Sequence, residues 1–269
     1  MRDVQPLASI AVALVFSGRN LNQVLQATLE RHPKLSPRQR ALLQDLSYGT
    51  LRHYGPLQAV LVRLLQKPLQ DESIRCLLLV ALYQLTHTHA QPHAVVDHAV
   101  KATQALRKIS AKGLVNAVLR NFLRQRDRLL IESAFDSEEA RYSHPKWWID
   151  KLRHQYPEKW EQILAAGNQR PPMTLRVNRR KGTVEAYLRQ LSDAGIAASA
   201  VGVSGILLEH PLAVDGLPGF RDGLVSVQDS GAQLAASLLD VSDGMRVLDA
   251  CAAPGGKTAH LLEMADVAL

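Results

Sequence analysis

Residues 74–85, Ile-Arg-Cys-Leu-Leu-Leu-Val-Ala-Leu-Tyr-Gln-Leu, carry one charge, Arg75. Asp71-Glu72 stands just ahead of them and suits the first turn of a helix, where side-chain oxygens accept from free backbone N–H groups. A helix of this composition is apolar on nearly every face, so it cannot lie on a surface and must be enclosed by other elements. The flanking sequence supplies them. Ser36-Pro37 reads as an N-cap with proline at the first helical position. Leu42, Leu43, Leu46, Leu57, Val60, Leu61 and Leu64 follow, mostly at three- and four-residue steps. The interruptions at Tyr48-Gly49 and Gly55-Pro56 predict two helices meeting there. Pro92 opens a helix through Leu106, and Ser110 opens another carrying Leu114, Val115, Val118, Leu119 and Phe122. No stretch of residues 1–130 alternates with period two, which predicts a compact all-α domain.

Residues 7–16 are the other long apolar run, at about half of the roughly 20 residues a bilayer requires. Their leader carries only Arg2 and Asp3, which cancel, and a buried helix is expected rather than a signal-peptide core. Residues 131–144 are polar and read as a linker or joining helix. Pro145 and Pro157 then start helices containing Trp147, Trp148 and Ile149, and Trp160 and Ile163. The character changes at Pro171-Pro172. Met173-Thr-Leu-Arg-Val177 alternates like a strand. Residues 183–194 form an amphipathic helix closed by Gly195. Residues 206–209 and 224–227 are short strand candidates, so residues 131–228 predict linker helices and a small α+β unit. Asp229 caps a helix through Leu239. Residues 245–250, Met-Arg-Val-Leu-Asp-Ala, read as a buried strand, and Gly255-Gly256 turns the chain into a last helix.

At 269 residues, with 46% hydrophobic and 21% charged content, the chain has the make-up of a soluble multidomain protein. Its net charge of +7 is unevenly placed. Residues 1–130 hold 18 Lys/Arg against 7 Asp/Glu, whereas residues 131–269 hold 14 against 18. The basic half could attract a polyanion, with binding that weakens as salt rises, or could simply be a solvated surface. Cys76 and Cys251 form no CxxC pair, which fits a reducing cytoplasm and argues against structural zinc or a disulfide framework. His87, His89, His93 and His98 lie close in sequence, but Pro92 among them suggests a loop and a helix start, and no metal site is expected. Trp147, Trp148 and Trp160 could stack on bases, though such residues more often fill a core.

Residues 249–258, Asp-Ala-Cys-Ala-Ala-Pro-Gly-Gly-Lys-Thr, carry the strongest chemical signal. A strand ending in an acid, a loop of small residues and a helix start let the backbone approach a ligand closely. Three readings are open. A triphosphate cradle needs Gly-x-x-x-x-Gly-Lys-Thr, and Cys251 stands where its first glycine would be. A tight strand-to-helix turn needs no ligand at all. A methyl-donor site does not require glycine at position 251.

The same residues resemble the first cofactor motif of the RNA 5-methylcytosine methyltransferases. Pro172-Met-Thr-Leu-Arg-Val-Asn178, Val227-Gln-Asp-Ser-Gly-Ala-Gln233 and Ser143-His-Pro-Lys-Trp-Trp148 resemble segments that precede that motif in the same family. Lys112-Gly-Leu-Val-Asn-Ala-Val-Leu-Arg120 resembles the NusB-like RNA-binding domain. The pairing is similar to the bacterial 16S rRNA cytosine-C5 methyltransferase B group, also called Sun or Fmu. The resemblance implies an all-α NusB-like domain over 1–130, linker helices and a small α+β pre-catalytic unit over 131–228, and over 229–269 the first strand and helix of an α/β Rossmann-like methyltransferase domain.

It further implies S-adenosyl-L-methionine as cofactor, held by Cys251, Ala252, Ala253, Pro254, Gly255, Gly256 and Lys257. In such enzymes a cysteine thiolate attacks C6 of cytosine, C5 takes the methyl group, and a second cysteine aids release. Both cysteines lie in Pro-Cys and Thr-Cys contexts that do not occur here, so the nucleophile is expected beyond Leu269. The chain is expected to be catalytically incomplete, with weak donor binding and with residues 230–269 in need of packing on the middle unit. The expected RNA contacts are Arg38, Arg40, Arg52, Lys108, Lys112, Arg120, Arg124 and Arg176, though Arg176 could instead serve an internal salt bridge. Arg179-Arg180-Lys181 forms a smaller basic patch. The partner implied is 16S rRNA, free or in a partly assembled small subunit, with no membrane and a monomeric, cytoplasmic protein. A second class of function is a NusB-like RNA- or transcription-factor-binding module without catalysis, which would have no use for the cofactor loop.

Overall fold

The computed structural model describes residues 4–268, and the chain divides into two compact units, residues 1–169 and 170–269. The first is helical: α1 Val4–Phe16, α2 Leu21–Arg31, α3 Pro37–Arg52, α4 Tyr54–Leu64, α5 Glu72–His87, α6 Pro92–Ala105, α7 Lys112–Ser133, α8 Glu138–Tyr142, α9 Lys146–Gln155 and α10 Trp160–Gly167. As its composition requires, α5 is the enclosed element, packed by α1, α3, α4, α6 and α7. Ile74 and every residue from 76 to 85 are buried. The amide of Gln84, polar on this helix, is met by Gln5 of α1, whose Nε2 donates to Gln84 Oε1 at 2.7 Å, while the buried Gln5 Oε1 has no partner among the described residues.

Local sequence explains where these helices start. Ser36 and Gln39 form a reciprocal capping box ahead of α3, and the Asp71 carboxylate accepts from the backbone N–H of Ser73 and Ile74. Gly49 does not end a helix, because α3 runs on to Arg52. Its role is steric: a Cβ there would stand 1.9 Å from the Tyr83 ring. Gly55 serves the approach of α4 to α8, since a Cβ would lie 2.0 Å from the Glu139 carbonyl oxygen. The helix expected from Ser110 begins at Lys112, after a 3₁₀ turn over residues 109–111. It continues to Ser133 through a non-helical Gln125 (φ −125°, ψ 19°). Helices α8–α10, which the sequence places with the middle unit, belong to the helical one. They share a small core of Ile149, Leu152 and Leu164, against which Trp148 and Trp160 pack.

The second unit is built on an antiparallel sheet of β1 Met173–Val177, β2 Ala198–Val201, β3 Gly205–Leu208 and β4 Val225–Val227, in the order β2-β3-β1-β4. Helix α11 Val184–Asp193 lies against β2 and β3, and Tyr187 and Leu191 join Leu175, Val177, Ile206 and Leu208 in one core. Strand alternation sends Thr174 and Arg176 to the opposite side, yet both are buried too. The cover on that side includes α12 Ser230–Leu239, which packs on β1 and on α13 Gly256–Met264.

Residues 245–250 do not form the expected buried strand. Among the described residues they make a single parallel bridge, Arg246 to Ala268, with Val247 N–H donating to the Ala268 carbonyl at 2.9 Å, and Leu248 is 88% exposed. A parallel strand depends on hydrogen-bonded neighbours and on helices over both faces. Among the described residues one extended dipeptide is its only strand partner. No described helix is long and apolar enough to cross a membrane.

Candidate functional site

The loop leading into α13 is shaped by one side chain. Asp249 Oδ1 accepts from the Cys251 N–H at 3.1 Å, and its Oδ2 accepts from Thr258 Oγ1 at 2.7 Å. A single carboxylate therefore ties the start of the loop to the first turn of the helix. Gly255, at φ +98°, makes the left-handed turn that admits the chain to α13, and a Cβ there would meet nothing within 4 Å. Cys251, Ala252, Ala253, Pro254, Gly256 and Lys257 are all exposed and Gly255 partly so. Helix α13 has no side-chain N-cap. The first-turn N–H groups of Gly256, Lys257 and Thr258 have no intrahelical partner. The arrangement suits a polar or carboxylate-bearing ligand.

Beneath the loop lies Arg176, 1% exposed. Its Nε and Nη2 donate to the two carboxylate oxygens of Glu263 at 2.8 and 2.7 Å. Nη1 donates to Gln228 Oε1 at 2.5 Å and to the Gly256 carbonyl at 2.7 Å. A bidentate pair of this kind fixes geometry as well as charge. Arg176 joins β1 to both ends of α13 and to the residue where the loop 251–255 becomes helix. Of the two roles open to Arg176, the structure shows the internal salt bridge: four of its five N–H donors are engaged inside the fold and the side chain is 1% exposed, which leaves little for RNA. Arg180 acts nearby in the same way, donating to the Leu262 carbonyl and to Asp266, and Lys181 donates to the Asp222 carbonyl. His260 on α13 is buried, and both its ring nitrogens lack a partner among the described residues. Burial, then the Arg176 charge, hold its pKa below the usual histidine value. Arg176 and Asp249 were not read as structural determinants of this loop. An acid two residues before Cys251 is the local signal for Asp249, whereas nothing local announces the burial of Arg176.

The basic residues of the helical unit are not alike. Arg38, Arg52, Lys112, Arg120 and Arg124 have no carboxylate partner among the described residues. Arg40 is exposed but donates to the Leu35 and Pro33 carbonyls. Lys108 pairs with Asp71 at 2.7 Å and is the largest cause holding that carboxyl below its usual pKa. Both remain cationic, but each already serves its own fold. Arg63 is bound by Glu132 and Asp136, and Lys146 and Arg153 share Glu138.

Other suggestive residues are occupied differently. His87 stacks on His53, with ring centroids 4.0 Å apart, and on Tyr83. Among the described residues no three His, Cys, Asp or Glu side chains converge as metal ligands. Trp147 is 67% exposed. Burial pushes the Cys76 thiol up to about 12, which leaves it protonated at neutral pH and a poor nucleophile.

Comparison with known proteins divides the chain in three, with a middle match that crosses the boundary at residue 169. Residues 6–124 match the NusB family, residues 144–215 the RsmF/B-like methyltransferase ferredoxin-like domain, and residues 236–268 the 16S rRNA methyltransferase RsmB/F family. The chain is 48% identical over 262 residues to the ribosomal RNA small subunit methyltransferase B of Pseudomonas syringae pv. tomato, covering 96% of this chain and 58% of that protein. It is 44% identical over 268 residues to the protein of the same name in Serratia proteamaculans, covering 98% and 61%. The chain thus spans about three-fifths of the length of the curated relatives it matches. The crystal structure of PH0851 shares the fold, with a TM-score of 0.66 at 20% identity over 97% of this chain and 60% of that one. In order along the sequence, the chain thus matches a NusB family model, a ferredoxin-like domain and the opening of the RsmB/F methyltransferase family, and over nearly all its length it is similar to proteins named ribosomal RNA small subunit methyltransferase B.

Proposed function

We propose that this chain is the RNA-holding and donor-loop portion of an S-adenosylmethionine-dependent methyltransferase acting on C5 of a cytosine in 16S rRNA. The observation that carries the proposal is the loop 251–257, open to solvent, made of small residues and shaped by Asp249 in front of uncapped helix N–H groups. Its donor set fits a zwitterionic methyl donor: backbone N–H groups and the Lys257 ammonium suit a carboxylate. Cys251, Ala252, Ala253, Pro254, Gly255, Gly256 and Lys257 would hold the donor, which supplies an electrophilic methyl group when bound. Arg176 and Glu263 would keep the loop's helix in register with the sheet.

The exposed cations Arg38, Arg40, Lys112, Arg120 and Arg124 and the half-buried Arg52 would hold rRNA phosphates, with Lys108 contributing from within its ion pair. Neither cysteine is assigned as nucleophile: Cys76 is enclosed in α5, and Cys251 belongs to the donor loop. The relatives that share the name, and the absence of CxxC pairing, support a cytoplasmic protein working on the small ribosomal subunit. A NusB-like binding module without catalysis would leave the Asp249-shaped loop without a purpose.

Two titrations test the proposal. A labelled 16S rRNA fragment should bind the 269-residue chain with an affinity that falls steeply with salt. S-adenosylmethionine at high concentration should shift the amide resonances of Gly256, Lys257 and Thr258 selectively. RNA affinity indifferent to salt would overturn the phosphate contacts, and unmoved α13 amides at saturating donor would overturn the loop assignment.

A further inference from the structure

Within the helical unit, the segment between α4 and α5 and the exposed side of α7 enclose a cavity of about 580 Å³. Leu65, Leu114 and Val118 give it an apolar floor, and Lys67, Asn121 and Arg124 stand at its rim. We propose that this cavity takes a single unstacked nucleotide of single-stranded RNA, with its base on the apolar floor and its flanking phosphates on Lys67, Arg124 and Arg120. The proposal rests on the reading that the helical unit binds RNA, and it names the place and the strandedness.

The first support is how charge is neutralised along the two bordering elements. On α4, Arg63 carries two carboxylates, Glu132 and Asp136. On α7, Arg128 pairs with Glu132. Lys67 lies just beyond the first of these and Arg124 one turn before the second, and neither has a carboxylate partner among the described residues. Arg120, a turn earlier on the same face, bonds only the Asn116 amide. Along these two elements Arg63 and Arg128 are paired within the protein, whereas Lys67, Arg124 and Arg120 keep their charge for an outside anion.

The second support is a fixed amide. Arg128 can only donate, and it donates to Gln125 Oε1. Gln125 must therefore turn its Nε2 outward, and that group donates to Asn121 Oδ1 at 2.6 Å. With its oxygen so occupied, Asn121 has its amide orientation set by the donor-only arginine rather than left open. Its Nδ2 donates to nothing among the described residues. The rim thus offers a hydrogen-bond donor above an apolar floor, which matches a flat ring with a carbonyl on its edge. Small-molecule sites commonly combine such a floor with one or two oriented polar groups, at volumes of about 300–1,000 Å³. An acidic side chain from a protein partner would suit the cations but would waste the floor. Gly113 and Ala117 lead up to this rim on the exposed side of α7, and a Cβ on Gly113 would meet nothing within 4 Å, so a sugar-phosphate strand can lie close to the helix.

The test measures binding of short labelled RNAs, single-stranded and duplex, to the whole 269-residue chain. Ala117→Trp fills the cavity from an exposed position and should lower single-strand affinity about tenfold while leaving duplex affinity unchanged, because loss of one base contact costs of that order. Asn121→Leu should weaken binding of a natural strand and should make no difference to one whose inserted nucleotide is abasic. Lys67→Ala with Arg124→Ala should lower the slope of log affinity against log salt by about one for each residue. Tryptophan fluorescence and circular dichroism confirm that each variant folds. Single-strand affinity unchanged in Ala117→Trp overturns the proposal. So does polyglutamate that binds the wild type and is lost in Ala117→Trp, which would give the cavity to an acidic protein. A wild-type chain that binds no RNA at low salt overturns the functional reading itself, whereas wild-type binding with indifferent variants overturns only this cavity.

Discussion

Residues 74–85 and residues 245–250 are both apolar stretches next to an acid, and they end in opposite states. In α5, Leu77, Leu78, Leu79 and Leu82 are fully enclosed. In the later segment Leu248 is 88% exposed and Met245 nearly half so. A helix satisfies its backbone within itself, so α5 needed only apolar surfaces around it, and five neighbouring helices supply them. An extended segment must find its hydrogen bonds in other strands, and residues 245–250 find only the 267–268 dipeptide. Burial in this molecule therefore follows the reach of the backbone's hydrogen bonds as much as side-chain hydrophobicity.

The largest test of that contrast concerns the one place where the later region is firmly held. Arg176→Met leaves the Glu263 carboxylate, 12% exposed, without its partner. Breaking a buried pair from one side costs about 3–5 kcal/mol. We expect faster amide hydrogen exchange across β1 and α13, with the helical unit unchanged. Adding Glu263→Leu should restore most of the protection, because the cost is an unpaired charge rather than a lost shape. If the single variant exchanges like the wild type, Arg176 does not anchor the loop.

The helical side is probed by Leu78→Ala, a cavity-forming change in α5 that should cost about 2–5 kcal/mol. All three tryptophans lie in the helical unit, so denaturant unfolding followed by their fluorescence reads that cost without interference from residues 170–269. A midpoint shift well below that range would mean that the core around α5 closes over the missing methyl groups.

What was legible beforehand follows the same division. Ser36 and Gln39, Asp71 ahead of Ile74, and Thr183 ahead of α11 were readable because caps act within three residues. The donor loop was readable as a contiguous motif, although its shaping by Asp249 was not drawn from it. For Arg176 an internal salt bridge was one of two readings, but its partner was not readable, because Glu263 lies 87 residues away and nothing in Met-Thr-Leu-Arg-Val shows that both faces of β1 are covered. Strand β2 was missed because Ala-Ser-Ala-Val has neither bulk nor alternation. It is an edge strand paired only with β3, between left-handed turns at Gly195 and Gly202. Gly49 looked like a break, but the ring that requires a glycine there comes from another helix.

A smaller effect concerns the pH dependence of the helical unit. His53, stacked on His87 and near Tyr83 and Arg52, has its pKa lowered to about 4, by burial first and then by the charges of His87 and Arg52. His87 is lowered as well, chiefly by burial. The folded form thus keeps these rings neutral while the unfolded chain takes up protons near pH 6.5. The unfolded state binds more protons, so the stability of the helical unit is full above about pH 6.5, falls as pH is lowered toward about 4, and levels off below. The carboxylates lowered by ion pairing, such as Glu72 and Asp71, lose their contribution only at lower pH. Between pH 6.5 and 5 the melting temperature should therefore decline, and His53→Gln with His87→Gln should flatten that decline. A decline of equal slope in the double variant would place the titrating groups elsewhere.

The smallest expected effect bears most directly on the comparison. Leu248→Ser removes an apolar side chain that has almost no contacts to lose, and surface changes of this kind stay within about 0.5 kcal/mol. Hydrogen exchange at Val247 and Ala268, the two amides of the parallel bridge, should be the same in the variant and the wild type. Residue type alone would predict otherwise, since Leu78→Ala removes a comparable side chain and should cost several times as much. If Leu248→Ser instead accelerates exchange at those amides, Leu248 is covered in solution. The 245–250 segment would then be held by side-chain packing that its single bridge does not provide.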